Sequence, residues 1–348
     1  MLTTTIGAYP KPDYVPGEDG LRREDGTARV APTAGYARTP GKDGRRLEEI
    51  LDRATIEVVR EQVDVGIDIP TDGEIRRENR IRHHCRNLAG IDFDAVTEKQ
   101  VRGQDPKLLP TITGSIRAGQ PFLVRDWRIA QSATRKPVKI TVPGPLTIGD
   151  GLADAFYESD GRLRGAALAD ALNSEIRALA DAGCPAVQVD EPALAWRTED
   201  ALAFGIEHLE RCFHKVPRST ERVVHVCCGQ LDRLDAENYP KAPEAAYLDL
   251  ARTLDEAAID AVSIEDAHRP NDLSLLERFS RAKVILGVIA IARIRVEEPE
   301  EVRERLRAAL EHIDAHRLIA GPDCGLRLLG RDLARRKLEV LVAAARTL

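Results

Sequence analysis

Four residues of this chain could together hold a metal ion: His225 and Cys227 in VVHVCCG, Glu265 in AVSIEDA and Cys324 in IAGPDCG. Each closes a short apolar run that reads as a β-strand. His225 and Cys227 are two apart, so on a strand both side chains leave the same face. Cys228 then points the other way, as a packed thiol and not a ligand. A lone His or Cys on a strand is ordinarily core packing. Nitrogen, sulfur, oxygen and sulfur donors gathered at three strand ends are the donor set of a tetrahedral zinc site. Two thiolates, one carboxylate and one neutral imidazole around Zn2+ leave one net negative charge. Exchanging the Glu265 carboxylate for a substrate thiolate would keep that charge. Three protein ligands with one exchangeable position is the pattern of a catalytic zinc. A thiol bound there loses its proton, so the expected chemistry is a sulfur nucleophile attacking an electrophilic carbon.

Carboxylates at other strand ends come next. Glu74 in PTDGE and Asp190 in QVDEPAL are placed to hold a substrate ammonium group; the competing role is ion pairing with Arg76, Arg77 or Arg80, or capping of the next helix. In the adjacent pairs, one of Asp190 and Glu191, and one of Glu265 and Asp266, is expected to face the helix layer. His83 and His84 lie in IRRENRIRHHCR, where a solvated or ion-paired face competes with a lid that supplies a proton donor or an anion contact. The arginines of that run (Arg76, Arg77, Arg80, Arg82 and Arg86) suit a carboxylate, phosphate or sulfonate. No Walker A loop, dinucleotide-binding glycine fingerprint or G-x-S-x-G elbow is present.

The elements that must position these residues alternate. Strands are expected over Thr3–Gly7, Gly66–Pro70, Val138–Val142, Ala186–Val189, Arg222–Val226, Ala261–Ile264, Lys283–Ile289 and Leu318–Ala320. Helical periodicity fills the gaps. Leu47, Ile50, Leu51, Ala54, Val58 and Val59 form one stripe, and Val302, Leu306, Ala309, Leu310 and Ile313 another. Leu163–Ala182, Glu199–Phe213, Pro243–Ala257 and Arg331–Leu348 are further helices, and Asn271 or Asp272 is placed to cap one over Leu273–Arg281. Eight strands with helices between them predict a single α/β domain over residues 1–348, a (β/α)8 TIM barrel with its chemistry at the strand C-termini. Residues 76–136 break the rhythm and are expected to form an irregular insertion over the C-terminal face after the second strand. Residues 9–44, rich in Gly and Pro, are expected to be a second irregular segment packed over the barrel.

Composition narrows the function classes. The chain has 348 residues, 43% of them hydrophobic, and a net charge of −6 with acids and bases interspersed. Nothing in that balance suggests a nucleic acid or an anionic membrane as partner. The first residues, MLTTTIGAYPKP, have no charged and apolar leader pattern. The longest apolar stretch, Val284 to Ala292, is too short to span a bilayer. Six cysteines spread over a long chain argue for free thiols in a reducing cytoplasm rather than a disulfide framework.

Taken in order, TTTIGAYPKP, DIPTDGEIRR, TVPGPLT, VQVDEPAL, HVCCG, SIEDA, LGVI and GPDCGL resemble the catalytic domain of cobalamin-independent methionine synthases in its single-barrel form. The resemblance runs from residue 3 to about 330. It implies a (β/α)8 fold, zinc on His225, Cys227, Glu265 and Cys324, and transfer of a methyl or alkyl group to an activated thiolate. It also implies that Glu74 and Asp190 hold the amino group of homocysteine, with catalytic weight on Glu265, Asp190 and Glu74. Ala8 stands where the family has a serine that helps hold the homocysteine carboxylate. Ala290-Ile291-Ala292-Arg293 stands where the long enzymes read Asp-x-His-Ser, which leaves Arg293 as a different anion contact on the rim. Gly149 and Asp150 replace a tryptophan that stacks on folate. Three expectations follow: a zinc-dependent S-methyltransferase of methionine biosynthesis, a thiol alkyltransferase of the epoxyalkane–coenzyme M type, or a non-catalytic barrel that binds metal or a corrinoid protein. The partners expected are a small thiol acceptor and a methyl or alkyl donor, with a homo-oligomer left open.

Overall fold

The computed structural model describes residues 1–15, 42–102, 106–229, 233–235 and 239–348. Seven strands make one parallel sheet. They are β1 (Leu2–Thr3), β4 (Lys139–Pro143), β6 (Ala186–Asp190), β7 (Glu221–Val226), β8 (Ala261–Glu265), β9 (Lys283–Ile289) and β10 (Leu318–Pro322). Their order is β1-β10-β9-β8-β7-β6-β4, and every pairing is parallel. β4, β6, β8 and β10 are buried along their whole length. Val- and Ile-rich runs of this kind fit a parallel sheet with both faces covered.

The sheet curls, and residues 69–71 reach both of its edges. Thr4 bridges Ile69 and Thr71 bridges Lys139, each in parallel sense. The strand expected over Gly66–Pro70 is reduced to these two bridges. Pro70 has no N–H to donate, and the contact rests on Ile69 N donating to Thr3 O and Lys139 N donating to Pro70 O. The other expected strands are present with ends shifted by a few residues, the first reduced to Leu2–Thr3.

Helices cover the outside. Lys42–Asp64, Gly161–Asp181, Ala246–Glu256, Pro299–Ala309 and Arg331–Ala345 carry the expected stripes. The expected 199–213 helix runs from Thr198 to Cys212 with a π turn at Ala201–Gly205. Asp272 caps the short turn Leu273–Arg278, its side chain accepting from Ser274 N. On the concave side of the sheet, Ile6, Val223, Ala261, Ile285 and Ile319 form a separate small core. Two residues further along β7 and β8, on the same face, stand His225 and Ser263.

The segment expected to be irregular, 76–136, is regular. It contains the helix Arg80–Cys85, the strands β2 (Leu88–Lys99) and β3 (Lys107–Ala118), and the helix Leu123–Ser132. β2 and β3 are antiparallel, and β3 pairs with the short β5 (Ala153–Asp154). Bulges between Ala89 and Ile91 and between Asp92 and Val96 interrupt the alternation that marks a strand. Of the segment 9–44, Tyr9 and Val15 are buried, residues from 42 begin a helix, and 16–41 lie outside the described residues. No helix among the described residues is long and apolar enough to cross a membrane.

Candidate metal centre

β7 and the segment after β10 bring together His225, Cys227 and Cys324, with one ligand atom of each lying within 4.8 Å of the others. Ligand atoms about 2.0–2.3 Å from a zinc ion stand roughly 3.5 Å apart in a tetrahedron, so the cluster needs only a small contraction. His225 is oriented from behind: its Nδ1 lies 2.9 Å from Ser263 Oγ. With Nδ1–H donating to that hydroxyl, Nε2 keeps its lone pair. Nε2 is buried, with the Cys324 sulfur acting on the ring. Ser263 is directly opposite His225 in the β7–β8 register.

The sulfurs share charge. A hydrogen bond from Cys227 draws the Cys324 thiol well below its usual range, against its burial. The same bond, followed by burial, pushes Cys227 well above it. Burial alone would lower His225, but the Cys324 sulfur outweighs it and raises the imidazole. Such a cluster holds protons among groups that a divalent cation would bind in their place. Nitrogen and two sulfurs fit zinc.

Glu265 ends β8 and lies outside the three-atom group. Burial raises the pKa of its carboxylate, and the charges of Cys324 and His225 also act on it. Its Oε1 is buried without a partner. An uncompensated carboxylate oxygen is costly. Its backbone is fixed by Tyr247, whose hydroxyl accepts from Glu265 N at 3.0 Å and donates to Val226 O at 2.7 Å. Asp323 fixes the residues that follow, accepting from Asp266 N, Ala267 N and His268 N at 2.7–2.9 Å. Gly287 is required beside it, because a Cβ there would lie 2.4 Å from Asp323 Oδ1. Cys228 is fully buried in the main core and absent from the ligand cluster.

Glu74 and Asp190 are both buried, and the Glu74 charge acts on Asp190. Glu74 sits at φ 54°, in the left-handed region. Arg77 Nη1 donates to Thr141 Oγ1 at 2.6 Å, and Thr141 Oγ1 donates to Glu74 Oε1 at 2.7 Å. Arg77 also makes ion pairs with Asp72 and Glu74. Asp190 Oδ1 accepts from Gln188 Nε2 at 2.6 Å, and burial raises its carboxyl to about 6. Glu191 and Asp266 turn to the helix layer. Glu191 accepts from Leu146 N and Thr147 N, and Asp266 binds Arg305 through two nitrogens.

Ala8 packs against the Cys324 loop, where Leu326 N donates to Ala8 O at 2.7 Å. Arg293 is exposed, and its charge is felt by His268 and Tyr239. His84 is not brought to the cluster. It is buried against Phe122 with Nδ1 2.8 Å from Arg80 O, and burial holds its pKa well below the ordinary value. His83 pairs instead with Glu78. Ser263, Tyr247, Gln188 and Asp323 hydrogen-bond the candidate site residues or their neighbours, and motif reading passes over them. Ser263 and Gln188 each stand two residues before a candidate carboxylate on the same strand face, which is the one signal that could have flagged them.

The chain matches a family model described as "Cobalamin-independent synthase, Catalytic domain" over residues 1–347. It is 30% identical over 345 residues to a methionine synthase of Sulfolobus acidocaldarius, covering 98% of this chain and 90% of the relative. It is 29% identical over 346 residues to that of Saccharolobus solfataricus, covering 98% and 93%. Among solved structures, a B12-independent methionine synthase from Shewanella sp. W3-18-1, in complex with selenomethionine, aligns with TM-score 0.84 at 27% identity, covering 99% of this chain and 96% of that one. By the match of its whole length and by these relatives, the chain belongs to the family of cobalamin-independent synthase catalytic domains.

Proposed function

We propose that this protein is a zinc-dependent methyltransferase that methylates the thiol of homocysteine, producing methionine. The observation that carries the reading is the convergence of one nitrogen and two sulfurs within 4.8 Å at strand ends, in a chain of this family. His225, Cys227 and Cys324 would hold the ion, with Glu265 as the exchangeable fourth ligand. Zinc, when bound, supplies the Lewis acidity that makes a thiol nucleophilic at neutral pH.

The chain's own residues do the rest. Glu74 and Asp190 receive the acceptor's ammonium group. Gln188 holds Asp190, and Thr141 holds Glu74. Ser263 keeps the imidazole in its tautomer. Glu265, with its free oxygen, would be the ligand whose position a substrate thiol could take. In this reading residues 66–71 are the second strand of a closed (β/α)8 barrel, one domain spans 1–348, and residues 76–136 cover the C-terminal face. Its six thiols, all free, suit a reducing cytoplasm.

The test is metal analysis of the purified protein, then assay with homocysteine and either methyltetrahydropteroylglutamate or methylcobalamin. The expected result is one zinc per chain, with methionine formed from one donor, lost on chelation and regained with added zinc. Full activity in a zinc-free preparation would overturn the reading.

A further inference from the structure

We propose that Lys241, Arg269 and Arg293 form a cationic rim beside the metal centre that receives an anionic group, carboxylate or phosphate, of the methyl donor. The inference rests on the functional reading above and assigns residues to the second substrate. The three cations come from the loops that follow β7, β8 and β9, and hydrogen bonds gather these loops around His268. The His268 N–H donates to Asp323 Oδ2 at 2.7 Å, and Asp323 precedes the candidate ligand Cys324. His268 Nε2 accepts from Ile291 N and Ala292 N, so Arg293 stands one residue beyond. The His268 carbonyl accepts from Lys241 Nζ at 3.4 Å, and Arg269 is the next residue in the chain. Arg269 Nη1 donates to Ala242 O at 2.6 Å, which ties the segment of Lys241 to that of Arg269. The same segment is held beside the candidate ligand Cys227. Ala242 N donates to Cys228 O at 2.7 Å, and Lys241 bridges Gly229 in antiparallel sense.

Among the described residues, Lys241, Arg269 and Arg293 make no ion pair, in a chain whose net charge is −6. The described acids around them are committed elsewhere. Asp266 binds Arg305, Glu297 pairs with Lys337, Asp235 accepts from Ile294 N, and Asp323 accepts three backbone N–H groups. Arg269 Nη2 is buried with no acceptor, a costly state that a ligand oxygen would relieve. Lys241 Nζ lies 4.8 Å from the centre of the Tyr239 ring, and Arg293 is exposed. Guanidinium and ammonium groups with no protein partner suit an oxyanion, and they repel an ammonium group. The acceptor's cation therefore belongs with Glu74 and Asp190. Asp190 ends β6, on one side of the strand that carries His225 and Cys227, and β8 and β9 lie on the other. The rim is left to the molecule that meets the sulfur from that other side.

The test is steady-state kinetics of the zinc-loaded protein with homocysteine and, in separate arms, methyltetrahydropteroylglutamate, which carries carboxylates, and methylcobalamin, which carries a phosphodiester. The arm that forms methionine identifies the source of the anion. In that arm, kcat/KM for the donor should fall as sodium chloride screens the rim. In Arg293→Ala the donor KM should rise about 2- to 5-fold, as for an exposed charge pair. With Lys241→Met and Arg269→Gln added, it should rise about 10- to 100-fold, and the salt dependence should flatten. Arg293→Lys should keep most of the natural behaviour. Zinc content and the KM for homocysteine should not change in any variant. If the triple variant does not fold, Arg293→Ala and its salt dependence decide. A donor KM and salt dependence unchanged in the variants, or a rise confined to the KM for homocysteine, would overturn the inference while methionine is still formed. If the natural protein with its zinc formed methionine from neither donor, the functional reading itself would fall, and the inference with it.

Discussion

At the residue scale, the candidate centre depends on groups that never touch a metal. Ser263 fixes the ring of His225 through Nδ1. Removing such a partner typically costs 10- to 100-fold in metal affinity. Ser263→Ala should therefore weaken zinc binding by about that factor, read by competition with a chromogenic chelator. An unchanged affinity would mean that β7 alone orients the imidazole. Cys227 and Cys228 make an internal control, because adjacent strand residues face opposite ways. Cys324→Ser and Cys227→Ser should lose stoichiometric zinc. Cys228→Ala should keep it and lose on the order of 1 kcal/mol of stability from a small core cavity, seen as a lowered Tm. The two-residue spacing made that distinction legible without coordinates. The displacement of Glu265 from the three-atom group was not legible, because it depends on where Tyr247 and Asp323 pin the end of β8.

At the element scale, the loop after β9 is locked by one histidine. Ile291 N and Ala292 N donate to His268 Nε2 at 3.0 and 3.2 Å. Ala290 N donates to Glu297, which the buried Lys337 pairs with. Nε2 can accept only while His268 is neutral, and burial lowers its pKa to about 4. The unfolded chain takes the same proton near about 6.5. Between these values the unfolded state binds more protons, so stability is lost as pH falls from about 6.5 towards 4. His268→Gln should flatten the decline in Tm over that window relative to the natural protein. A parallel pair of pH curves would show that His268 does not contribute. The motif differences at Ala290–Arg293 mark this loop as unusual in the sequence, but its anchor is a side chain on a different strand-end loop. The β2–β3 hairpin was missed for a different reason. Its bulges and half-exposed faces erase the alternation that strand reading relies on.

At the scale of the molecule, the interior of the curled sheet carries a buried lysine. Lys139 lies at the start of β4, 1% exposed, and among the described residues its Nζ has no hydrogen bond. Burial lowers its pKa to about 8, against about 10.4 unfolded. Below that range the folded state carries the full cost of the buried charge, and stability recovers as pH rises from about 8 to about 10. Lys139→Met should raise the Tm at neutral pH, by roughly 3 kcal/mol of stability at most, and should remove that alkaline rise. A lowered Tm would show that the ammonium is needed by Asp190 or by the strand ends above it.

Strand alternation, the order of the polar strand ends and the ligand types were fixed by local sequence, because a side-chain period of two and an apolar run are properties of neighbouring residues. From these alone came a parallel α/β fold, the pairing of His225 with Cys227, the exclusion of Cys228 and the expectation that one carboxylate of each adjacent pair turns to the helix layer; the structure showed that these are Glu191 and Asp266. Only the tertiary structure decided that Cys324 comes within 4.8 Å of His225 and Cys227 while Glu265 stands outside that group, and that His84 faces Phe122. Those outcomes depend on contacts between residues tens to hundreds of positions apart, and the curvature of the sheet, which no local pattern encodes, sets their distances.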